Sequence, residues 1–483
     1  MLFNSLEFLL FFPLVVGLYF ALPQRWRWLH LLLASYAFYM AWEPAYALLI
    51  LASTVVDYLV ALRMPNAPQP QRRMLLGLSL LVNLGLLFSF KYYNLINGTF
   101  VDLAALGGID WPLPESNLLL PVGISFYTFQ TLGYTVDVYR GSMAPERHFG
   151  HFALYVSYFP QLVAGPIERA GRLLPQLHAE HHVDLDRIAS GLRLMLWGLF
   201  KKVVVADRLG QLADLVYADP VGASGPLVVL GTICFGYQIY CDFSGYSDLA
   251  IGAARVMGVD LMKNFDQPHL ARSVNEFWSR WHISLISWFR DYIYIPLGGS
   301  RRGKLMRNRN IIIVFLVSGL WHGAAWTYVI WGGLNALYIV VGDLTKNLRE
   351  DIAEATGFAR LPRLRVAWQT ATTVGFIYFS FIFFRAPDLP TALYMYGRLP
   401  MDWGLLASDE WWAGWSARLG WDAVMLGFAM ALIPVTELIE FRYRHLDRWK
   451  APPLLRWAGD WALVVSILLF GVFTREAFLY FQF

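Results

Sequence analysis

The stretch Ile311–Gly342, IIIVFLVSGLWHGAAWTYVIWGGLNALYIVVG, decides how the chain is read. It is apolar almost throughout, and His322 is its only side chain that titrates near neutral pH. As one straight helix it would run about 48 Å, well beyond a hydrocarbon core of roughly 30 Å. A break is therefore expected, at Gly319, at Gly323 or at the Gly332-Gly333 pair. Irregular backbone at membrane depth is tolerated only where protein or a water-filled cavity surrounds it. A histidine beside such a break has two readings. It is a functional group kept in spite of its cost, or a core histidine hydrogen-bonded to a carbonyl.

The whole chain has the character of that stretch. Of its 483 residues, 57% are hydrophobic and only 15% charged, with a mean hydropathy of +0.44. Apolar runs of spanning length recur from end to end, so the expected class is an all-α, polytopic integral membrane protein. The 20 Trp and 25 Tyr exceed what interfacial belts require and leave some to line a cavity. A net charge of +4 is too small to imply nucleic acid, because the basic residues fall in loops that flank spans. Cys234 and Cys241, the only cysteines, sit on one expected span and form neither a disulfide framework nor a metal site. The N-terminus is apolar from Leu2, with no basic region before it, and reads as a retained span rather than a signal peptide.

Spans are expected near 3–22, 29–42, 45–62, 74–91, 118–139, 188–206, 226–258, 311–342, 366–384, 421–441 and 456–473, about eleven in all. They group into N-terminal spans (1–140), a re-entrant or cytoplasmic segment (151–187), a core (188–342) and C-terminal spans ending in an aromatic tail (343–483). Basic loops alternate with acidic or neutral ones, which puts the N-terminus outside. HFALYVSYFPQLVAGP (151–166) is apolar but short and interrupted by Pro160, Gly165 and Pro166, as a re-entrant or interfacial piece would be. A loop follows the 188–206 span. A Trp-rich segment at 400–420 is expected at an interface.

Three stretches carry candidate chemistry. GYQIYCDFSGYSDLAIG places Gln238 and Asp242 on one helix face, with Asp248 beyond. Carboxylates this deep belong to a catalytic chamber or clasp helices together through Tyr and Ser hydroxyls. SVNEFWSRWHISLISWFRDYIYIPLGG opens with Ser273 and Glu276 in a capping-box pattern and predicts one amphipathic, interfacial helix ended by Pro296 and Gly298-Gly299. Arg280, Ser284, Ser287 and Asp291 form its polar stripe. The cluster Arg301, Arg302, Lys304, Arg307 and Arg309 that follows is a cytoplasmic topology signal or a mouth for a polyanionic ligand. The chain ends in FLYFQF, whose Tyr480 is an anchor or a reactive hydroxyl. His178, His181 and His182 lie in a polar loop and read as solvated. No G-x-S-x-G elbow, H-E-x-x-H or paired-Cys motif appears.

Four stretches, YFPQLVAGPIERAGRLLPQL (158–177), CDFSGYSDLAIG (241–252), NEFWSRWHISLISWFRDYIYIPLGG (275–299) and LWHGAAWTYVIWG (320–332), resemble the membrane-bound O-acyltransferase family. The likeness is to its bacterial branch of alginate O-acetyltransferase membrane subunits. It implies a ring of helices around a central funnel or tunnel in the cytoplasmic (inner) membrane of a bacterium. His322, in the W-H-G motif, becomes the general base. Acetyl-CoA, or another acyl thioester, becomes the donor substrate, with no bound cofactor and no metal. Trp321, Gln238, Asp242, Asp248, Arg280, His282 and Ser284 become the expected substrate-binding set, and Tyr480 a transient acyl carrier. The partners implied are membrane lipid, an extracytoplasmic acyltransferase or esterase-like accessory protein, and a polysaccharide export complex. In one place the chain departs from the pattern. WGGLNA puts Asn335 where relatives often carry a second histidine, and an amide cannot serve as a base near neutral pH. Asn335 is then polar support at most. The rival readings are a transporter or flippase of lipid-linked sugars, with Asp242, Asp248 and His322 along a polar path, and a scaffold for a polymer synthase.

Overall fold

A computed structural model describes residues 1–163, 165–419, 421–442, 452–473 and 479. The protein is all-helical: no strand occurs among the described residues. Among the described residues, seven helical segments are long and apolar enough to cross a membrane: Pro44–Arg63, Gln69–Leu106, Gly225–Val256, Trp326–Leu344, Pro362–Arg385, Ala423–Phe441 and Pro453–Phe470. Seven is fewer than the eleven expected from hydropathy, because several apolar runs fold into shorter helices. Leu6–Ala21, Gln24–Met40 and Ile124–Arg140 stop at 16 or 17 residues. Such helices reach about 25 Å, short of a typical hydrocarbon core.

Two expected boundaries move outward. The run that begins at Gln69 does not end near residue 91 but continues, through a π-helical turn at Phe88–Tyr92, to Leu106. The loop expected after residue 206 is helix as well: Leu185–Phe200 passes through a π-helical turn, Lys201–Ala206, into Asp207–Ala218. The 151–187 region forms the short helices Phe149–Ser157, Phe159–Leu162 and Ala170–His178, none long enough to span.

The chain divides into two compact units, one holding Met1–Met195 and Tyr246–Lys263, the other Leu196–Gly245 and Asn264–Leu479. The first is organised on Ile124–Arg140, twelve of whose residues are buried. A polar cluster joins that helix to its neighbours. Asn83 donates to Asp57 at 2.9 Å, and its Oδ1 accepts from Ser53 at 2.6 Å and from Thr131 at 3.2 Å. Glu168 closes the same unit elsewhere by accepting the Met262 N–H. Burial pushes its carboxyl up to about 7.

The second unit is organised on a tight helical hairpin, Gly303–His322 and Trp326–Leu344. A Cβ on Gly319 would lie 2.3 Å from the Tyr328 carbonyl oxygen, and one on Gly332 would lie 2.2 Å from that of Phe315. Only glycine lets the two backbones approach this closely. The expected single helix of 273–299 is two. The Ser273 hydroxyl does cap it, accepting the Glu276 N–H at 3.1 Å. However, Val274–Arg280 stops at Trp281, and Ile283–Phe289 restarts after His282. His282 adopts φ +46°, a left-handed conformation that breaks the helix and is uncommon outside glycine.

Candidate functional site

His322 is the last residue of its helix. The next residue, Gly323, is extended, at φ −157° and ψ 151°. Of the three break points open to the Ile311–Gly342 stretch, the chain uses the one beside the histidine. The imidazole is 4% exposed. It is flanked by Trp321 at 4.8 Å between ring centres, by Trp331 at 5.0 Å and by Phe384 at 5.4 Å, all roughly edge-to-face. Trp331 is buried, and its indole N–H has no acceptor among the described residues. A buried donor of this kind beside the histidine is able to meet a carbonyl oxygen.

Asn335 stands behind this aromatic wall. Its Oδ1 accepts from the Trp278 indole N–H at 3.2 Å, and its Nδ2 donates to the Trp331 carbonyl at 2.9 Å and to the Ser380 hydroxyl at 3.2 Å. It therefore ties the Val274–Arg280 helix, the hairpin and the Pro362–Arg385 helix together. His282 reaches the other flank of the site. Its ring lies 5.7 Å from Trp321 and 4.6 Å from Phe243.

The remaining expected residues are placed less uniformly. Ser284 is buried and donates to Asn264 Oδ1 at 2.6 Å, which fastens the restart of the broken helix. Arg280 is paired with Glu276 at 2.6 Å. Gln238 packs over Gly210, where a Cβ would meet its Nε2 at 2.5 Å. Asp248 is half-buried on the part of Gly225–Val256 that belongs to the first unit. Asp242, 1% exposed, is ion-paired to Lys202 at 2.7 Å, and its other oxygen accepts the Leu479 N–H at 2.9 Å. Tyr480 lies outside the described residues. In the basic cluster Arg301, Arg302, Lys304 and Arg309 are exposed, whereas Arg307 is ion-paired to Asp343.

Sequence reasoning missed a set of buried charges in the second unit. Lys201 meets Glu440 at 3.0 Å, and the Tyr240 hydroxyl donates to the same carboxylate at 2.6 Å. Lys202 is shared between Asp242 and Asp207, the latter at 2.6 Å. His269 links Glu437, at 2.7 Å from Nδ1, to the Tyr378 hydroxyl, at 3.1 Å from Nε2. The signal was present: two lysines interrupt the apolar run LWGLFKKVVVA, and two glutamates interrupt LIPVTELIEF. In the first unit, His178 of the polar loop bonds Glu146 at 2.8 Å and stacks on His151 at 3.9 Å. Among the described residues no group of three or more His, Cys, Asp or Glu side chains is arranged to hold a metal ion. Cys234 and Cys241 are buried free thiols.

A family model described as MBOAT, membrane-bound O-acyltransferase family, matches residues 146–384, which include His282, His322 and Asn335. The chain belongs to this family and is a multi-pass membrane enzyme, an O-acyltransferase. It is similar over its full length, at 35% identity and with all of both chains covered, to a Pseudomonas putida protein named "Probable alginate O-acetylase AlgI". A protein of the same name from Azotobacter vinelandii is 40% identical over 83% of this chain and 78% of its own. The peptidoglycan O-acetyltransferase of Helicobacter pylori is 35% identical over 77% of this chain and 72% of its own.

Proposed function

We propose that this enzyme moves acetyl groups from acetyl-CoA, taken up on the cytoplasmic side, toward hydroxyls of an exported, alginate-like polysaccharide, with His322 as general base. The observation that carries the reading is the position of His322 at a helix break, walled by Trp321, Trp331 and Phe384. A neutral imidazole there accepts the hydroxyl proton as the oxygen attacks the thioester carbonyl. The new C–O bond forms, the C–S bond breaks, and the CoA thiolate leaves and takes up a proton. The imidazolium produced on the way faces the negative end of its own helix dipole. The Trp331 N–H is a donor for the oxyanion.

Tyr480 is the hydroxyl we assign as first acceptor, an acetyl carrier between donor and polymer. His282, Ser284, Arg280, Gln238, Asp242 and Asp248 shape or line the substrate path, and Asn335 supports it. The exposed Arg301, Arg302, Lys304 and Arg309 attract the CoA phosphates. The setting is a bacterial cytoplasmic membrane with the N-terminus outside. An extracytoplasmic acyltransferase and the export machinery complete the transfer. An alginate-like acceptor is favoured because relatives named for alginate match at 35–40% identity over as much as the entire chain, the peptidoglycan relative over 77% of it.

The test is purified protein with acetyl-labelled CoA. Wild type turns the thioester over, and His322→Ala, still inserted in the membrane, does not. Turnover at the wild-type rate in that variant would remove the base assignment. Mass spectrometry of exopolysaccharide from a deletion strain identifies the acceptor.

A further inference from the structure

We propose that Tyr378 is a nucleophile that accepts an acetyl group from a thioester, with His269 as its base and Glu437 holding that base. It is a second acetyl-accepting hydroxyl of this chain, served by its own imidazole rather than by His322. The proposal rests on the acetyl-transfer reading above for its donor alone. Three elements of the second unit bring the groups together. Glu437 comes from the helix Trp421–Arg442 and lies 2.7 Å from His269 Nδ1. The other ring nitrogen, Nε2, is 3.1 Å from the Tyr378 hydroxyl on Pro362–Arg385. A carboxylate on Nδ1 keeps the imidazole proton on that side, which leaves Nε2 to accept from the phenol. A nucleophile, a base and an orienting carboxylate in hydrogen-bonded series activate a hydroxyl otherwise too weak to attack.

The local chain is shaped to hold these three. Gln267 adopts φ +51°, a left-handed conformation that costs free energy outside glycine, and turns the chain into the one-turn helix Pro268–Leu270 that carries His269. The imidazole is buried, with the Tyr237 ring 4.5 Å from it and the Tyr240 ring edge-on at 4.7 Å. Gly236 leaves room for the phenol: a Cβ there would lie 2.6 Å from the ring carbon that bears the hydroxyl. Tyr378 is 7% exposed, no more enclosed than His322 at 4%. A row of rings joins the two. Tyr378 stacks on Phe381 at 5.7 Å, Phe381 meets Phe384 at 6.1 Å, and Phe384 flanks His322 at 5.4 Å. A clasp between helices would need only a neutral acceptor for the phenol, without the desolvation that a carboxylate brings.

In the step, the Tyr378 oxygen attacks the acetyl carbonyl carbon as its proton passes to His269 Nε2. The new C–O bond forms, the C–S bond breaks, and the imidazolium returns the proton to the leaving thiolate. The aryl acetate is then open to a second hydroxyl. Its C–O bond to Tyr378 breaks as the next one forms, and His269 carries the proton of that hydroxyl back to the phenolate.

The experiment treats full-length protein in detergent, with no polymer acceptor present, with p-nitrophenyl acetate, which requires no CoA site, and separately with acetyl-labelled CoA. Each reaction is quenched in acid and the acetyl group located by peptide mass spectrometry. Wild type should carry acetyl on Tyr378 from both donors. Tyr378→Phe keeps the ring and should carry none on that peptide. His269→Gln should slow the labelling by about a hundredfold, the scale of a general base. Glu437→Gln should slow it as well, and carries the test if His269→Gln fails to insert. No acetyl on Tyr378 from either donor overturns the proposal, whatever thioester turnover shows for His322. Labelling at the wild-type rate in His269→Gln and Glu437→Gln overturns the roles of base and carboxylate. Label from the nitrophenyl ester alone supports the nucleophile and removes acetyl-CoA as its donor, a failure of the donor reading and not of the triad.

Discussion

Gly323 and Tyr328 are packed so that a Cβ on the glycine would lie 2.1 Å from the tyrosine ring. The backbone at Gly323 is extended, a conformation any residue adopts, so the demand for glycine is steric, and that ring is its nearest source. Because Gly323 follows His322 directly, displacing Tyr328 shifts the wall around the imidazole; Tyr328 itself rests on Phe384 at 5.0 Å.

Gly323→Ala should therefore lower acetyl-CoA turnover by about a hundredfold, the scale on which small misplacements of reacting groups act. Thermal stability should fall by about 1–3 kcal/mol, as overpacking does. Trimming the ring should cost less stability in the Gly323→Ala background than in wild type, because it also removes the clash. Equal costs of Tyr328→Ala in the two backgrounds would show that the ring is not what excludes the methyl.

Asn335 offers a separate check on support as against catalysis. Asn335→Leu leaves the buried Trp278 indole N–H without its acceptor, at about 1–3 kcal/mol for a buried group left unsatisfied, while the Ser380 hydroxyl loses one donor and keeps its bond to the Ile377 carbonyl. Its melting temperature should drop and its kcat should fall, yet the pH profile of kcat/KM should keep the wild-type shape, because an amide does not titrate near neutral pH. A profile that loses one limb in this variant would give Asn335 a part in proton transfer.

These two residues also show what was legible beforehand. A break in Ile311–Gly342 followed from helix length against membrane thickness, and the glycines marked where it would fall. The all-helical membrane class followed from hydropathy. The count of spans did not, because hydropathy cannot separate a helix that faces lipid from one, such as Ile124–Arg140, that is buried in protein. The break at His282 was hidden for a different reason. Apolar and polar stripes at helical spacing continue smoothly across it, and a histidine with positive φ leaves no mark in composition. The Lys201–Glu440 and Lys202–Asp242 pairs join parts of the chain far apart in sequence, and pattern reasoning on one segment sees half of each.

The Lys201–Glu440 pair predicts strong non-additivity. Lys201 and Glu440 are 3% and 15% exposed in their side chains, so removing one partner strands the other in a poorly solvated place. Glu440→Ala and Lys201→Met should each cost about 3–5 kcal/mol, and the double variant should cost less than the sum of the two. Thermal unfolding in detergent across the four proteins measures the coupling. Additive costs would mean that the two charges are solvated separately.

The histidine cluster outside the candidate spans predicts a response to acid. Burial, with His178 and His148 close by, holds the His151 imidazole down at about 4 from an ordinary 6.5, against an opposing pull from Glu146. His148 Nδ1 lies 3.1 Å from His151 Nδ1, and the Trp28 ring covers the pair from the helix Gln24–Met40. A histidine whose folded value lies below its unfolded one leaves stability intact above about 6.5 and drains it as pH falls toward 4. Burial raises the Glu146 carboxyl, but the His148 N–H and the His178 ring outweigh it and hold the group below its usual range, so its own loss begins at lower pH. Glu168, raised to about 7, works in the opposite direction and gains stability on acidification, which masks the His151 effect in wild type alone. The difference between proteins isolates it. From pH 7.5 to 5, wild type should lose about 1 kcal/mol more than His151→Gln, a figure discounted for solvent screening of a half-buried ring. Equal losses in the two proteins would mean that His151 titrates as an ordinary exposed histidine.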